Sequence, residues 1–247
     1  MPRKPVAGQM LSESAYDALK WRILNLELPV GRLFSVAELC DLVGLGRAPV
    51  SHAVLRLQEE RLIDVLPRKG IMIKAWSAEG FAQIRTVREP LERLSARLAT
   101  LNATPADVQD LRGIIARETR FLAELDRREL RNCDTELHCA LARISGNEIL
   151  LEEVAYLHQL SASAWYTHVS GEDAFKRSHA QHSALVSAIA KGDPDAAERA
   201  MGDHMSFIGG GAQRGHGSHA APAAAARAPA KTAPAQPAKA TRKTARA

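Results

Sequence analysis

Early in the chain, apolar residues fall at helical spacing twice in close succession. Val36, Leu39 and Val43 mark the inward face of one helix, and Gly44 stands where that helix must stop and the backbone turn sharply. Pro49, Val50, Ala53, Val54 and Leu57 define a second helix. Proline is tolerated there only in the first turn, where its missing N–H costs no helical bond, so this helix begins at about Arg47 or Ala48. Leu62 to Leu66 and Gly70 to Lys74 are short β-prone runs joined by Pro67-Arg68-Lys69, the pattern of a hairpin with a cationic tip. Beyond it the periodicity is helical throughout. Phe81, Ile84, Val87, Leu91, Leu94 and Leu98 predict one inward stripe. Further stripes run over Pro105 to Leu125, Leu130 to Ile144, Ile149 to Ser163, Phe175 to Ala190 and Pro194 to Ile208, with a turn expected from His168 to Asp173. The fold class expected is mainly α, with a winged helix-turn-helix over 1–76, an all-helical bundle over 77–208, and a tail over 209–247.

Charge divides the chain the same way. The net charge of +5 conceals seven basic and no acidic residues from Gly209 onward. Residues 1–76 hold 11 Lys and Arg against 8 Asp and Glu, so the segment 77–208 is acidic, and basic charge lies at the two ends. The tail is dominated by Ala, Pro, Gly, Lys and Arg and holds no Leu, Val, Phe, Trp or Tyr, a composition expected to be disordered because it cannot offset its ordering entropy. It serves either solubility or nonspecific DNA tethering. Cys40, Cys133 and Cys139 form no CxxC pair and read as reduced thiols. No stretch suits a membrane span, and no apolar stretch follows Arg3 and Lys4 as a secretory signal requires, so a bacterial cytoplasmic, nucleoid-associated location is expected.

A helix presented N-terminus first to the major groove sets its first-turn residues against base edges and phosphates. Arg47, Ala48, Ser51 and His52 occupy those positions, and Arg68, Lys69 and Gly70 at the wing tip reach a phosphate or the adjacent groove. Leu19, Ile23, the Pro29/Gly31 turn, Leu39, Gly44, Arg47-Ala48-Pro49-Val50, Ala53, Leu57, Leu62 and Gly70 together resemble the winged helix-turn-helix of the GntR family of bacterial transcription regulators, over about residues 12–75. Three positions depart from that family's preference: Gly46 in place of Ser, Ser51 in place of Arg and His52 in place of Glu. The missing arginine removes a guanine or phosphate contact, so the operator is expected to differ from the family's usual half-site. The same fold also serves elsewhere as a protein-docking module.

The bundle's apolar stripes carry polar residues that need a reason. Asp134 and His138 lie one turn apart on the face of Leu130, Leu137, Leu141 and Ile144; His182 shares a face with Leu185, Val186 and Ile189; His204 sits among Ala197, Met201 and Met205. A buried unpaired carboxylate costs several kcal/mol. One divalent ion such as Zn²⁺, Ni²⁺ or Mn²⁺ would satisfy Asp134, His138, His182 and His204 together, whereas any one of these histidines taken alone reads as an ordinary core residue. His158 and His179 also fall near inward faces.

The stretches Val87-Arg88-Glu89-Pro90-Leu91-Glu92, Asp134-Thr135-Glu136-Leu137-His138, Gly146-Asn147, His182 to Ile189, Gly192-Asp193 and His204-Met205 resemble the helical, FCD-type ligand-binding domain of the FadR subfamily. In its metal-binding members the ligands are an Asp and three His, which carry over onto the same quartet. The resemblance makes Arg88 an effector-binding residue, able to pair with a small carboxylate metabolite; a structural salt bridge to Glu92 is the other reading.

The function expected is a transcription regulator whose binding to a double-stranded DNA operator, as a homodimer, is modulated by a small organic acid in a metal-containing pocket. The alternative is a metal-dependent hydrolase or oxygenase fused to a DNA-targeting module, for which no general base stands out beside the quartet.

Overall fold

The computed structural model describes residues 7–168 and 171–214, with side chains from 10 to 161 and 171 to 207; the basic tail beyond 214 lies outside the described residues. Helix α1 (Ala7–Leu24) precedes a two-residue strand β1 (Leu33–Phe34), then α2 (Val36–Val43), α3 (Arg47–Glu59), β2 (Ile63–Leu66) and β3 (Gly70–Ile73). Helix α2 starts in a capping box, in which the Ser35 hydroxyl accepts from the Glu38 N–H and the Glu38 carboxylate accepts from the Ser35 N–H. It ends at Gly44, whose left-handed φ of 67° turns the chain into α3. Helix α3 begins at Arg47 with Pro49 inside its first turn, and buries Val50, Ala53, Val54 and Leu57 against Ala15, Tyr16, Leu19 and Ile23 of α1.

The strands form an antiparallel sheet in the order β1-β3-β2, with Phe34 opposite Ile71 and Val65 opposite Ile71 on the other side. Sequence reading found the β2–β3 hairpin but not β1, which is too short to show alternation. Gly70 has a φ of 122°, and a Cβ there would lie 2.6 Å from the Phe34 carbonyl oxygen, so only glycine lets β1 close on the wing.

Among the described residues six helices follow: α4 (Ala78–Asn102), α5 (Pro105–Glu124), α6 (Arg127–Ile144), α7 (Glu148–His168), α8 (Glu172–Ala190) and α9 (Pro194–Arg214). Helix α5 opens in a second capping box, Thr104 with Asp107. Helix α7 runs to His168, where a turn was expected to begin, and α9 passes the expected end at Ile208. Leu111, Ile114, Leu130, Leu137, Leu141, Leu185, Ile189, Met201 and Met205 fill the bundle core. The winged helix does not hang free of it, because Ile84 of α4 and Leu157 and Leu160 of α7 belong to the same buried cluster as Leu19 and Leu57. Among the described residues, no helix is long and apolar enough to cross a membrane.

The inward face of α4 differs from the apolar stripe. Val87 and Leu94 are exposed, at 54% and 42%, while Phe81, Ile84, Arg88, Glu92, Ser95, Ala96 and Ala99 are buried. Phe81 and Ile84 of the predicted stripe are buried and Leu91 and Leu98 are half-buried, so the stripe fails at Val87 and Leu94, and the buried face carries the Arg88–Glu92 ion pair.

Candidate functional site

The four expected ligands meet in the bundle. Asp134 and His138 project from consecutive turns of α6, His182 from α8 and His204 from α9. The His204 Nε2 lies 3.3 Å from the Nε2 atoms of both His138 and His182, and the Asp134 Oδ1 lies 3.4 Å from the His182 Nε2 and 3.8 Å from the His138 Nε2. All four donor atoms fall within 4.8 Å of one another. The three imidazoles are at most 1% exposed.

Other carboxylates hold the far sides of two rings. The Glu118 Oε1 is 2.8 Å from the His182 Nδ1, and its Oε2 is 2.9 Å from the His179 Nδ1. The Glu92 Oε2 is 2.8 Å from the His138 Nδ1, a close charge contact bent away from hydrogen-bond alignment. A metal ion would take the Nε2 lone pairs of His138, His182 and His204 and leave protons on the Nδ1 atoms of His138 and His182; without one, a proton held on His182 between Asp134 and Glu118 supplies the positive charge. A tetrahedral ion with donors at about 2.05 Å would separate its donor atoms by about 3.3 Å, so the residues present fit a divalent metal. The charges fit too: Glu92, Glu118 and Asp134 against Arg88 leave a formal −2 around neutral imidazoles.

The same geometry perturbs ionisation strongly. Burial opposes charge on His182, but hydrogen bonds to Asp134 and Glu118 outweigh it and raise the imidazole to about 10. Burial, then the neighbouring His182 and His138, push His204 well below its usual range. Burial would raise Glu92, yet His138 and Arg88 hold it down at about 2.

Arg88, expected to receive an effector carboxylate, is buried and engaged. Its Nε donates to the Glu92 Oε1 at 2.8 Å, its Nη1 to the Ser161 Oγ at 2.7 Å, and its Nη2 meets the His158 Nδ1. His158 in turn places its Nε2 3.3 Å from the Asp134 Oδ2 and 3.1 Å from the Thr135 Oγ1. Burial and the adjacent guanidinium lower His158 to about 3. Arg88 therefore anchors a buried network that ends on a candidate metal ligand.

Sequence reading missed the supporting roles of Glu92 and Glu118. A signal existed for both: Glu92 follows Arg88 by one turn, and Glu118 continues the Leu111–Ile114 face of α5 at helical spacing.

The residues expected to meet DNA lie on the winged helix. Arg47, Ala48 and His52 are exposed in and after the first turn of α3, and Ser51 is half-buried. Gly46 caps α3 without a side chain, so the first-turn N–H groups have no side-chain cap and remain available to a phosphate. Arg68, in the left-handed region at φ 62°, and Lys69 are exposed at the hairpin tip beside Gly70.

Comparison with known proteins covers both halves. Residues 11–73 match the family described as bacterial regulatory proteins, gntR family, and residues 83–207 match the FCD domain. The repressor NanR of Cronobacter sakazakii is 28% identical over 229 residues, spanning 83% of this chain and 86% of that one. The Uxu operon regulator of Haemophilus influenzae is 25% identical over 217 residues, 81% and 78% of the two chains. The solved structure of E. coli McbR/YncC superposes with a TM-score of 0.73 at 18% identity, covering 83% of this chain and 97% of that one, a likeness of fold.

Proposed function

The chain belongs to the GntR family of bacterial regulatory proteins, with an FCD domain, and is a DNA-binding transcriptional regulator of that type; from this we propose that its operator binding is controlled by a small organic acid at a metal centre held by Asp134, His138, His182 and His204. The observation that carries the reading is the convergence of three histidine Nε2 atoms and one carboxylate oxygen, backed by Glu92 and Glu118. Zn²⁺, Ni²⁺ or Mn²⁺ suits such donors and, when bound, supplies positive charge and open positions for a carboxylate. Glu118 fixes the tautomer of His182, and Glu92, held in place by Arg88, sets a negative charge beside the His138 Nδ1. The effector acts only through unequal affinity for two arrangements of the winged helices.

In the same proposal Arg47, Ala48, Ser51 and His52 face base edges, and Arg68 and Lys69 face phosphates. Two copies read an inverted repeat. Helix α4 supports the homodimer: Val87, Leu94 and Leu101, spaced by seven, are 54%, 42% and 61% exposed, a row of apolar side chains on one helix face that a twofold contact would cover.

Elemental analysis of the full chain, combined with Asp134→Ala, His182→Ala and the double variant, tests the centre. Each single change is expected to remove the ion, and the second to add little, because ligands of one ion act as a unit. Chelation leaves the helices formed but abolishes the response of operator binding to a small-acid panel. A wild type that retains no ion, with additive stability losses in the variants, overturns the proposal.

A further inference from the structure

Between α1 and the bundle lies a cavity of about 480 Å³, lined by His158 but by none of the four candidate metal ligands. Trp21 and Leu24 of α1 form one wall, Arg128 and Arg131 of α6 a second, and His158 and Gln159 of α7 a third. Its volume is that of a drug-sized ligand site.

The lining is amphipathic in a defined way. Trp21, Leu24 and the nearby Ala155 offer apolar surface. Arg131 is 7% exposed and bridges the two halves of the protein by donating to the Asn25 Oδ1 at 2.9 Å. Arg128 is exposed, its guanidinium 5.1 Å from the Trp21 ring centroid, and no carboxylate among the described residues pairs with it. Glu136, the acidic member of the lining, is engaged by Arg117. A flat apolar body with one anionic end matches this surface: the ring against Trp21 and Leu24, the anion at Arg128.

The walls also connect to the DNA-reading helix. Gln159 donates to the Glu60 Oε2 at 3.3 Å, and Glu60 is the C-terminal cap of α3. The same carboxylate accepts from Lys20 Nζ at 2.7 Å and from the Tyr16 hydroxyl, both on α1. A molecule in the cavity therefore touches α1 directly and the end of α3 through one side chain.

We propose that this cavity is a second ligand site, separate from the metal centre, which takes a small aromatic organic anion and alters the set of α1 and α3 against the bundle. The proposal does not depend on an ion at the quartet.

The probe is 8-anilinonaphthalene-1-sulfonate, titrated into the full-length protein by fluorescence, with and without Zn²⁺ after chelation. The expected result is one site per chain, energy transfer that diminishes in Trp21→Phe, and affinity unchanged by Zn²⁺. Arg128→Glu should weaken binding at least about tenfold, the loss of one charge contact, and Ala155→Phe should abolish it by filling the cavity. The second readout is affinity for a duplex selected by the wild type from a random pool. Saturating probe should shift that affinity at least about threefold in the wild type and leave Arg128→Glu unaffected. Probe binding that both variants retain, that requires Zn²⁺, or that leaves duplex affinity unchanged overturns the proposal. A failed metal centre with Zn²⁺-independent probe binding would sink only the metal reading.

Discussion

Glu118→Gln isolates the support behind one candidate metal ligand. Glu118 uses both oxygens, one 2.8 Å from His182 and the other 2.9 Å from His179, and is buried. Glutamine keeps the volume and one acceptor but removes a negative charge, so a dication would face a cluster of formal −1 in place of −2, and the His182 ring would lose the partner that makes it a stronger donor. Loss of an outer partner of this kind weakens metal affinity about 10–100-fold, or about 1.4–2.7 kcal/mol. Ligand linkage transmits that loss to stability at fixed metal concentration. At about 2–4 °C per kcal/mol for a domain of this size, the metal-induced rise in Tm should shrink by about 3–10 °C. Competition against a chromophoric chelator measures the affinity, and circular dichroism melts with and without Zn²⁺ measure the rise. Wild-type affinity together with an undiminished rise would refute the role given to Glu118.

Three further outcomes are expected. Arg47→Ala should cost about 1–3 kcal/mol on a preferred duplex if it reads a base, whereas Lys69→Ala should weaken all sequences alike and lower the salt slope; anisotropy titrations on preferred and scrambled duplexes separate these, and normal binding by both variants would dismiss the contacts. Glu60→Gln should destabilise by about 1–2 kcal/mol at pH 7, because Lys20, Tyr16 and Gln159 lower the carboxyl against the opposing effect of burial. A lowered carboxyl contributes stability above its unfolded range of about 4.3 and loses it as pH falls through the folded value, so urea midpoints of variant and wild type should converge below about pH 4; a gap independent of pH would contradict the ion-pair account. Gly70→Ala should destabilise by about 3 kcal/mol, since backbone strain at φ 122° adds to a contact with the Phe34 carbonyl that no side chain can yield; a loss under about 1 kcal/mol in a urea melt would show that β1 moves aside.

The chain's own pattern determined most of the elements. Local rules suffice for a capped helix, for a proline confined to the first turn of α3, for a glycine that ends α2 and for the two strands of the wing, because the groups involved lie within a few residues of one another. The four residues that converge in the bundle were legible as polar positions on faces that ought to be apolar. Only the tertiary structure decided which face of α4 points inward. Hydrophobicity selects Val87 and Leu94, yet Arg88 and Glu92 are the buried residues, because an ion pair can be buried when partners such as Ser161 and His138 arrive from helices distant in sequence. The pairing of β1 with β3, the seat of Glu118 behind His182 and the cavity between α1 and α7 arise in the same way: each depends on where remote elements pack, and periodicity within one element carries no record of that.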